Sequence, residues 1–151
     1  MLAGSVFFDS NVLLYAHDRL DAAKLRAAEH WLNEISLRES AKTNLQVLNE
    51  ISNVLFKKRK DLSAAQVFSI VDDFAALGAS PLTWLEVASA RAIRVDTGYS
   101  WWDCLLLASA IELGCSHFLS EDLQDGQQIG GLMIVNPFLH APETILGPSQ
   151  G

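Results

Sequence analysis

The sequence predicts an α/β fold in which helices cover both faces of a parallel β-sheet. Three observations lead there. Short, largely apolar runs at residues 6–8, 117–119 and 132–135 lack the polar alternation of a half-solvated strand, so they read as strands buried on both faces. Longer stretches with apolar residues at helical spacing separate these runs, and strands alternating with helices imply parallel pairing. Half of the 151 residues are hydrophobic and 19 % are charged, which excludes disorder. A chain of this length buries about 68–70 % of its unfolded surface.

Each element follows from local signals. Residues 6–8 form the first strand, and a turn at 9–11 feeds a brief helix reaching about His17. Asp21 caps a helix to about Arg38, whose Leu25, Ala28, Leu32 and Ile35 share an apolar face. An extended piece at 41–43 precedes a helix from about 44 to 58. Ser63, with Gln66 three residues on, opens another helix that closes by Gly78. Residues 80–82 read as a strand, and 83–97 as a helix ended by Gly98. Ser100 starts the most hydrophobic helix, which runs to Leu113 and stops at Gly114; the last strands are 117–119 and 132–135. No Pro-rich or Gly/Ser-rich linker divides the chain, so one domain spans 1–151, with its core at about 6–138 and a frayed tail at 147–151.

Bulk properties narrow the function. The N-terminus has no basic segment before its apolar run, and the longest strongly apolar stretch is far short of the ~20 residues that span a bilayer. Two cysteines, Cys104 and Cys115, with no repeated C-x-x-C, suit a reducing cytoplasm and no membrane. The net charge of −7 argues against broad nucleic-acid binding, which needs clustered cations. Four of the eleven basic residues nevertheless form one run, Lys57, Lys58, Arg59 and Lys60. Its plainest reading is a solvated helix C-terminus complementing the macrodipole; its functional reading is contact with phosphate.

The acids are more informative. In VFFDSNVLLYA, Asp9 sits within the densest apolar run and at the carboxyl end of a strand, where ligands of parallel sheets bind. Asp122 follows the strand at 117–119 through Ser120 and Glu121. Glu50 falls at the rim of an apolar helix face set by Val47, Leu48, Ile51, Val54 and Leu55; alone, it would be an ordinary surface Glu. Asp103 is at N3 of a helix capped by Ser100, which a capping box explains, yet it lies opposite a polar side marked by Ser109 and Glu112. Asp125 precedes Gly126, and turn chemistry accounts for it. Four carboxylates converging on one sheet end would repel or bind protons, and a hard divalent cation such as Mg²⁺ relieves that. His17, His30, His117 and His140 are scattered and offer no zinc spacing.

The blocks FFDSNVLLYA, VLNEISNVL, SWWDCLLLASAIELGC and FLSEDLQDGQ, in this order, resemble the PIN-domain nucleases, and most closely VapC-like toxins of toxin–antitoxin pairs. The closing IVNPF is similar to the family's last strand. The resemblance implies a three-layer α/β/α sandwich with a central parallel sheet, and a ribonuclease that uses Mg²⁺ or Mn²⁺. It further implies that Asp9, Glu50, Asp103 and Asp122 form the catalytic and metal-binding set, with Ser10, Asn11 and Ser120 in support. Asp125 is an outer position whose membership varies in the family, and Ser10 stands where Thr is commoner. The partners it implies are RNA, a cognate antitoxin and a second copy of the chain. Lys57–Lys60 would help hold RNA, and Trp101 or Trp102 could stack on a base. Two rivals remain. One is an aspartyl-phosphate phosphohydrolase with Asp9 as nucleophile, although Asn11 stands where a second Asp is usual. The other is a degenerate binding module.

Overall fold

The computed structural model describes residues 4–148. In chain order the elements are β1 (Ser5–Phe8), α1 (Ser10–Tyr15), α2 (Ala22–Leu37), β2 (Ala41–Lys42), α3 (Leu45–Lys58), α4 (Ala64–Ala75), α5 (Trp84–Thr97), α6 (Trp101–Glu112), β3 (Cys115–Leu119), β4 (Gln128–Ile129), β5 (Leu132–Val135) and α7 (Pro142–Leu146). The sheet order is β2-β1-β3-β5-β4. β1 pairs in parallel with β2 and β3, and β3 in parallel with β5. Helices flank this sheet on both faces, giving the expected three layers.

The central strands show why both faces are covered. Side chains alternate sides along a strand, yet Val6, Phe7 and Phe8 are all fully buried, as are Phe118 and Leu119. Phe7 and Phe118 stack across β1 and β3 with centroids 5.2 Å apart. On α2, the anticipated apolar face is centred on Trp31, whose indole N–H donates to the carbonyls of Pro137 (3.1 Å) and His140 (2.8 Å). That contact pins the segment after β5 to α2.

Several sequence expectations need correction. Residues 80–82 are not a strand: only Ser80 pairs, in an isolated parallel bridge with Asn44, because Pro81 has no N–H to continue a ladder. The sheet is not wholly parallel, since β4 runs antiparallel to β5 across the two-residue Gly130-Gly131 connection. The turn at 9–11 is already helix, with Asp9 as the N-cap of α1. Ser109 does not mark a solvent face; it is buried, and its hydroxyl accepts from Asn44 Nδ2 at 2.8 Å. Residues 142–146 form a helix with Pro142 in its first turn. Of the expected tail, residues 149–151 lie outside the described residues.

Candidate active site

Two parallel strands that are neighbours in register deliver the first acids. Phe8 pairs with Leu119, so the chain leaves β1 at Asp9 beside the point where it leaves β3 at Ser120. Asp9 caps α1: its Oδ1 accepts the Ser10 N–H at 2.7 Å, and the Ser10 hydroxyl lies 3.4 Å from the same oxygen. Ser120 is buried, and its hydroxyl accepts the Asp122 N–H at 3.2 Å, which holds the turn that presents Asp122. Asn11 then closes the pair, donating from Nδ2 to Asp122 Oδ2 at 2.9 Å. The three residues expected in support thus join α1 to the loop after β3.

The other two acids arrive on helices. Glu50, half-buried on α3, accepts from Gln46 Nε2 at 3.2 Å. Asp103, in the first turn of α6, donates its N–H to the Ser100 hydroxyl (3.1 Å), which in turn donates to Asp103 Oδ2 (2.9 Å). Only half of a capping box forms, because the carboxylate meets the cap's hydroxyl and not its N–H.

Electrostatics bring the four together. Asp9 is 7 % exposed, and burial pushes its carboxyl up to about 7. The Ser10 N–H opposes that rise, while the charges of Glu50, Asp103 and Asp122 add to it. All three are therefore near enough to act on Asp9, and an extra negative charge there is resisted. Asp125 is engaged elsewhere, accepting from Asn136 N–H (2.8 Å) and pairing with His140 Nε2 (2.7 Å). Those two contacts lower its carboxyl below the usual range.

As arranged, no three of the His, Cys, Asp and Glu side chains among the described residues meet around one point at metal-ligand geometry. Each of the four carboxylates instead faces a local donor: the Ser10 N–H, Gln46, Ser100 or Asn11. The donor set is all oxygen, which suits Mg²⁺ or Mn²⁺. Mg²⁺ keeps several waters and needs only one or two direct carboxylates, so this set fits such an ion.

Sequence reasoning missed Gln46, whose Oε1 is buried without a partner while its amide holds Glu50. It also missed Lys24, which binds Glu121 at 2.7 Å and Tyr15 Oη at 3.3 Å, and so ties α2 to the loop carrying Asp122. Spacing of i and i+4 on one helix could have flagged Gln46; nothing local could have flagged Lys24. Lys57, Lys58 and Lys60 are exposed at the end of α3, and Arg59 is engaged by Asp61.

Ten chains of solved structures match, among them one of a toxin–antitoxin complex from Klebsiella pneumoniae. That likeness has 17 % identity, a TM-score of 0.65, and covers 88 % of this chain and 98 % of that one. VapBC2 from Rickettsia felis, bound to a DNA fragment from their promoter, matches with 17 % identity and a TM-score of 0.59, over 85 % and 96 % of the two chains. At such identities the likeness concerns the fold. No protein of curated function matches the chain. The family model of the PIN domain matches residues 6–124, which takes in all four acids. The chain belongs to the PIN-domain family.

Proposed function

We propose that this protein is a divalent-metal-dependent endoribonuclease, the cytoplasmic toxin of a toxin–antitoxin pair, folded as one domain and acting as a homodimer. PIN domains are generally nucleases that use divalent metal ions, and the chain shares that much by membership. The observation that carries the finer reading is Asp9: a buried carboxylate whose ionisation is opposed by three further acids from separate elements. Such an arrangement is costly without a cation, and breaking a buried charge pair typically costs roughly 3–5 kcal/mol.

A bound divalent ion would supply Lewis-acid stabilisation of phosphate charge and a more acidic water. Asp9, Asp103 and Asp122 would hold it, directly or through water. Asn11 fixes the Asp122 carboxylate, and Ser10 fixes that of Asp9. Glu50, steadied by Gln46, would orient the attacking water and take its proton. Asp125, bound to His140 and Asn136, supports the loop in this scheme and does not contribute a ligand. The aspartyl-phosphate alternative would need an acid two residues after Asp9; Asn11 stands there, tied to Asp122.

The Klebsiella neighbour is by its own description a toxin–antitoxin complex, which supports an antitoxin partner for this chain. The test is cleavage of cellular RNA by the purified chain, freed from the product of its adjacent gene, with Mg²⁺ or Mn²⁺. Activity should vanish with chelator and in Asp9→Asn and Asp103→Asn. A refolded wild type that cuts no RNA under any divalent metal overturns the reading.

A further inference from the structure

Two clefts flank the acid cluster, and α3 is the ridge between them. The first, about 320 Å³, is lined on the α3 side by Val54, Leu55, Lys58 and Arg59 and on the α1 side by Asn11 and Leu14. The second, about 610 Å³, is lined by Gln46, Asn49, Glu50 and Asn53 of α3 and by Pro81 and Trp102. At 100° per residue, Val54 and Lys58 fall about 40° and 80° to one side of Glu50, and Asn53 and Asn49 about 60° and 100° to the other. Glu50 therefore stands at the crest, with one cleft falling away on each side.

The clefts differ in chemistry. In the first, apolar walls meet a cation: Arg59 is held by both Asp61 oxygens (2.9 and 2.8 Å), so Lys58 is the exposed positive charge left at the rim. Asp18 also lines this cleft, but its Oδ1 accepts the Leu20 N–H at 2.9 Å and its charge lies beside Arg59. In the second, Trp102 is 64 % exposed beside the exposed side-chain amides of Asn49 and Asn53, while Gln46 is engaged by Glu50. An apolar plate with amides around it matches an unpaired base, which has a flat apolar face and a hydrogen-bonding edge. In a duplex those faces are stacked and those edges paired, so neither is available.

We propose that a single strand of RNA is bound across α3, with the scissile phosphate at the Glu50 crest, one flanking base stacked on Trp102, and the neighbouring nucleotide on the other side seated in the Lys58 cleft with its phosphate on the lysine. This rests on the ribonuclease reading of the acid cluster and adds the path of the substrate. It also separates the basic run: Lys58 lines a cleft, while Lys57 and Lys60 line neither.

The experiment is titration of fluorescein-labelled octauridylate by anisotropy over a range of salt, in Ca²⁺ on ice, with the RNA's integrity checked on a gel. Each phosphate contact adds about 0.7 to the slope of log affinity against log salt for a single strand. Lys58→Gln should lower that slope by about 0.7, whereas Lys57→Gln and Lys60→Gln should leave it unchanged. Trp102→Ala should bind about tenfold more weakly, the scale of one base–aromatic stack. A duplex of the same length should bind wild type more weakly than the single strand. Equal effects from all three lysines, an unaltered Trp102→Ala, or an equal preference for duplex each overturn the path. So does loss of antitoxin binding alone in these variants, which would make the clefts a protein dock. If wild type cuts RNA while the variants bind as it does, the ribonuclease reading stands and the path falls. If no RNA is cut but the variants weaken octauridylate as stated, the path stands as a binding groove and the ribonuclease reading falls.

Discussion

Asp9 carries the conflict from which the site's chemistry follows. It is held by its own helix, since the Ser10 N–H favours the charged form, yet burial and three acids favour the neutral one and raise it from 3.8 to about 7. A carboxyl raised in the folded state gives stability that is complete below its unfolded value near 3.8 and is lost as pH climbs through about 7. Metal-free protein should therefore melt higher at pH 5 than at pH 8. The full difference between those two values corresponds to on the order of 4 kcal/mol at 1.36 kcal/mol per unit, of which the pH 5–8 window samples part. Thermal melts in chelator should show this slope in wild type and a flatter one in Asp9→Asn; equal slopes would mean that Asp9 does not titrate as described. Lys24 offers a second prediction. Its ammonium meets Glu121 at 2.7 Å and lies over the Tyr15 ring at 4.6 Å, bracing the loop one residue before Asp122. Lys24→Met should reduce Mn²⁺ affinity by about tenfold, the low end of losses seen when ligand supports are removed. Lys24→Arg should restore most of it, and calorimetry with Mn²⁺ measures both.

The elements show which signals are local and which are not. Caps were legible: Asp21, Ser63 with Gln66, and Gly98 act where their sequence spacing places them, because a cap needs only its own first or last turn. The places of Asp9 and Asp122 after strands and of Glu50 and Asp103 on helices were legible in the same way. What escaped was pairing across distance. Ser109 is buried because it meets Asn44 from 65 positions away, whereas β4, only two residues long and paired locally with β5, is too short to show a strand pattern. The periodicity of α6 misleads for this reason, since residues Cys104 through Ala110 are all covered by other elements. Asn44 shows how such a contact sets the site. Its Oδ1 accepts the Val47 N–H at 3.0 Å, capping α3, while its Nδ2 reaches Ser109 on α6, so one side chain locks the helices that carry Glu50 and Asp103. Asn44→Ala removes a cap worth about 1 kcal/mol and strands a buried hydroxyl at about 1–3 kcal/mol. Urea unfolding should show a loss of about 2–4 kcal/mol in total. A loss below about 0.5 kcal/mol, the ordinary surface value, would show that the lock carries no weight.

Over the whole molecule, a net charge of −7 and the charges of Glu50, Asp103 and Asp122 acting on Asp9 oppose the proposed RNA substrate unless cations are added. Binding of Mg²⁺ or Mn²⁺ only to the folded form contributes about 2.7 kcal/mol at a hundredfold excess over Kd. For a chain of this size that is a rise in Tm of about 5–10 °C, and it should shrink in both Asp9→Asn and Asp103→Asn. The same four acids, without metal, would attract a guanidinium, which presents a rigid fork of donors and does not lose its charge. The proposed antitoxin should therefore inhibit by placing an arginine among Asp9, Glu50, Asp103 and Asp122. Metal and arginine then compete for the same oxygens, so inhibition of RNA cleavage should weaken as Mn²⁺ is raised. Neutralising Glu50 takes away one of the arginine's acceptors but leaves three acids for the metal. In Glu50→Gln the antitoxin should bind more weakly while Mn²⁺ affinity falls less than in Asp103→Asn. Calorimetry of the purified pair at several Mn²⁺ concentrations measures this directly. Antitoxin affinity that is indifferent both to Mn²⁺ and to Glu50→Gln would place the inhibitor's contact away from the acids.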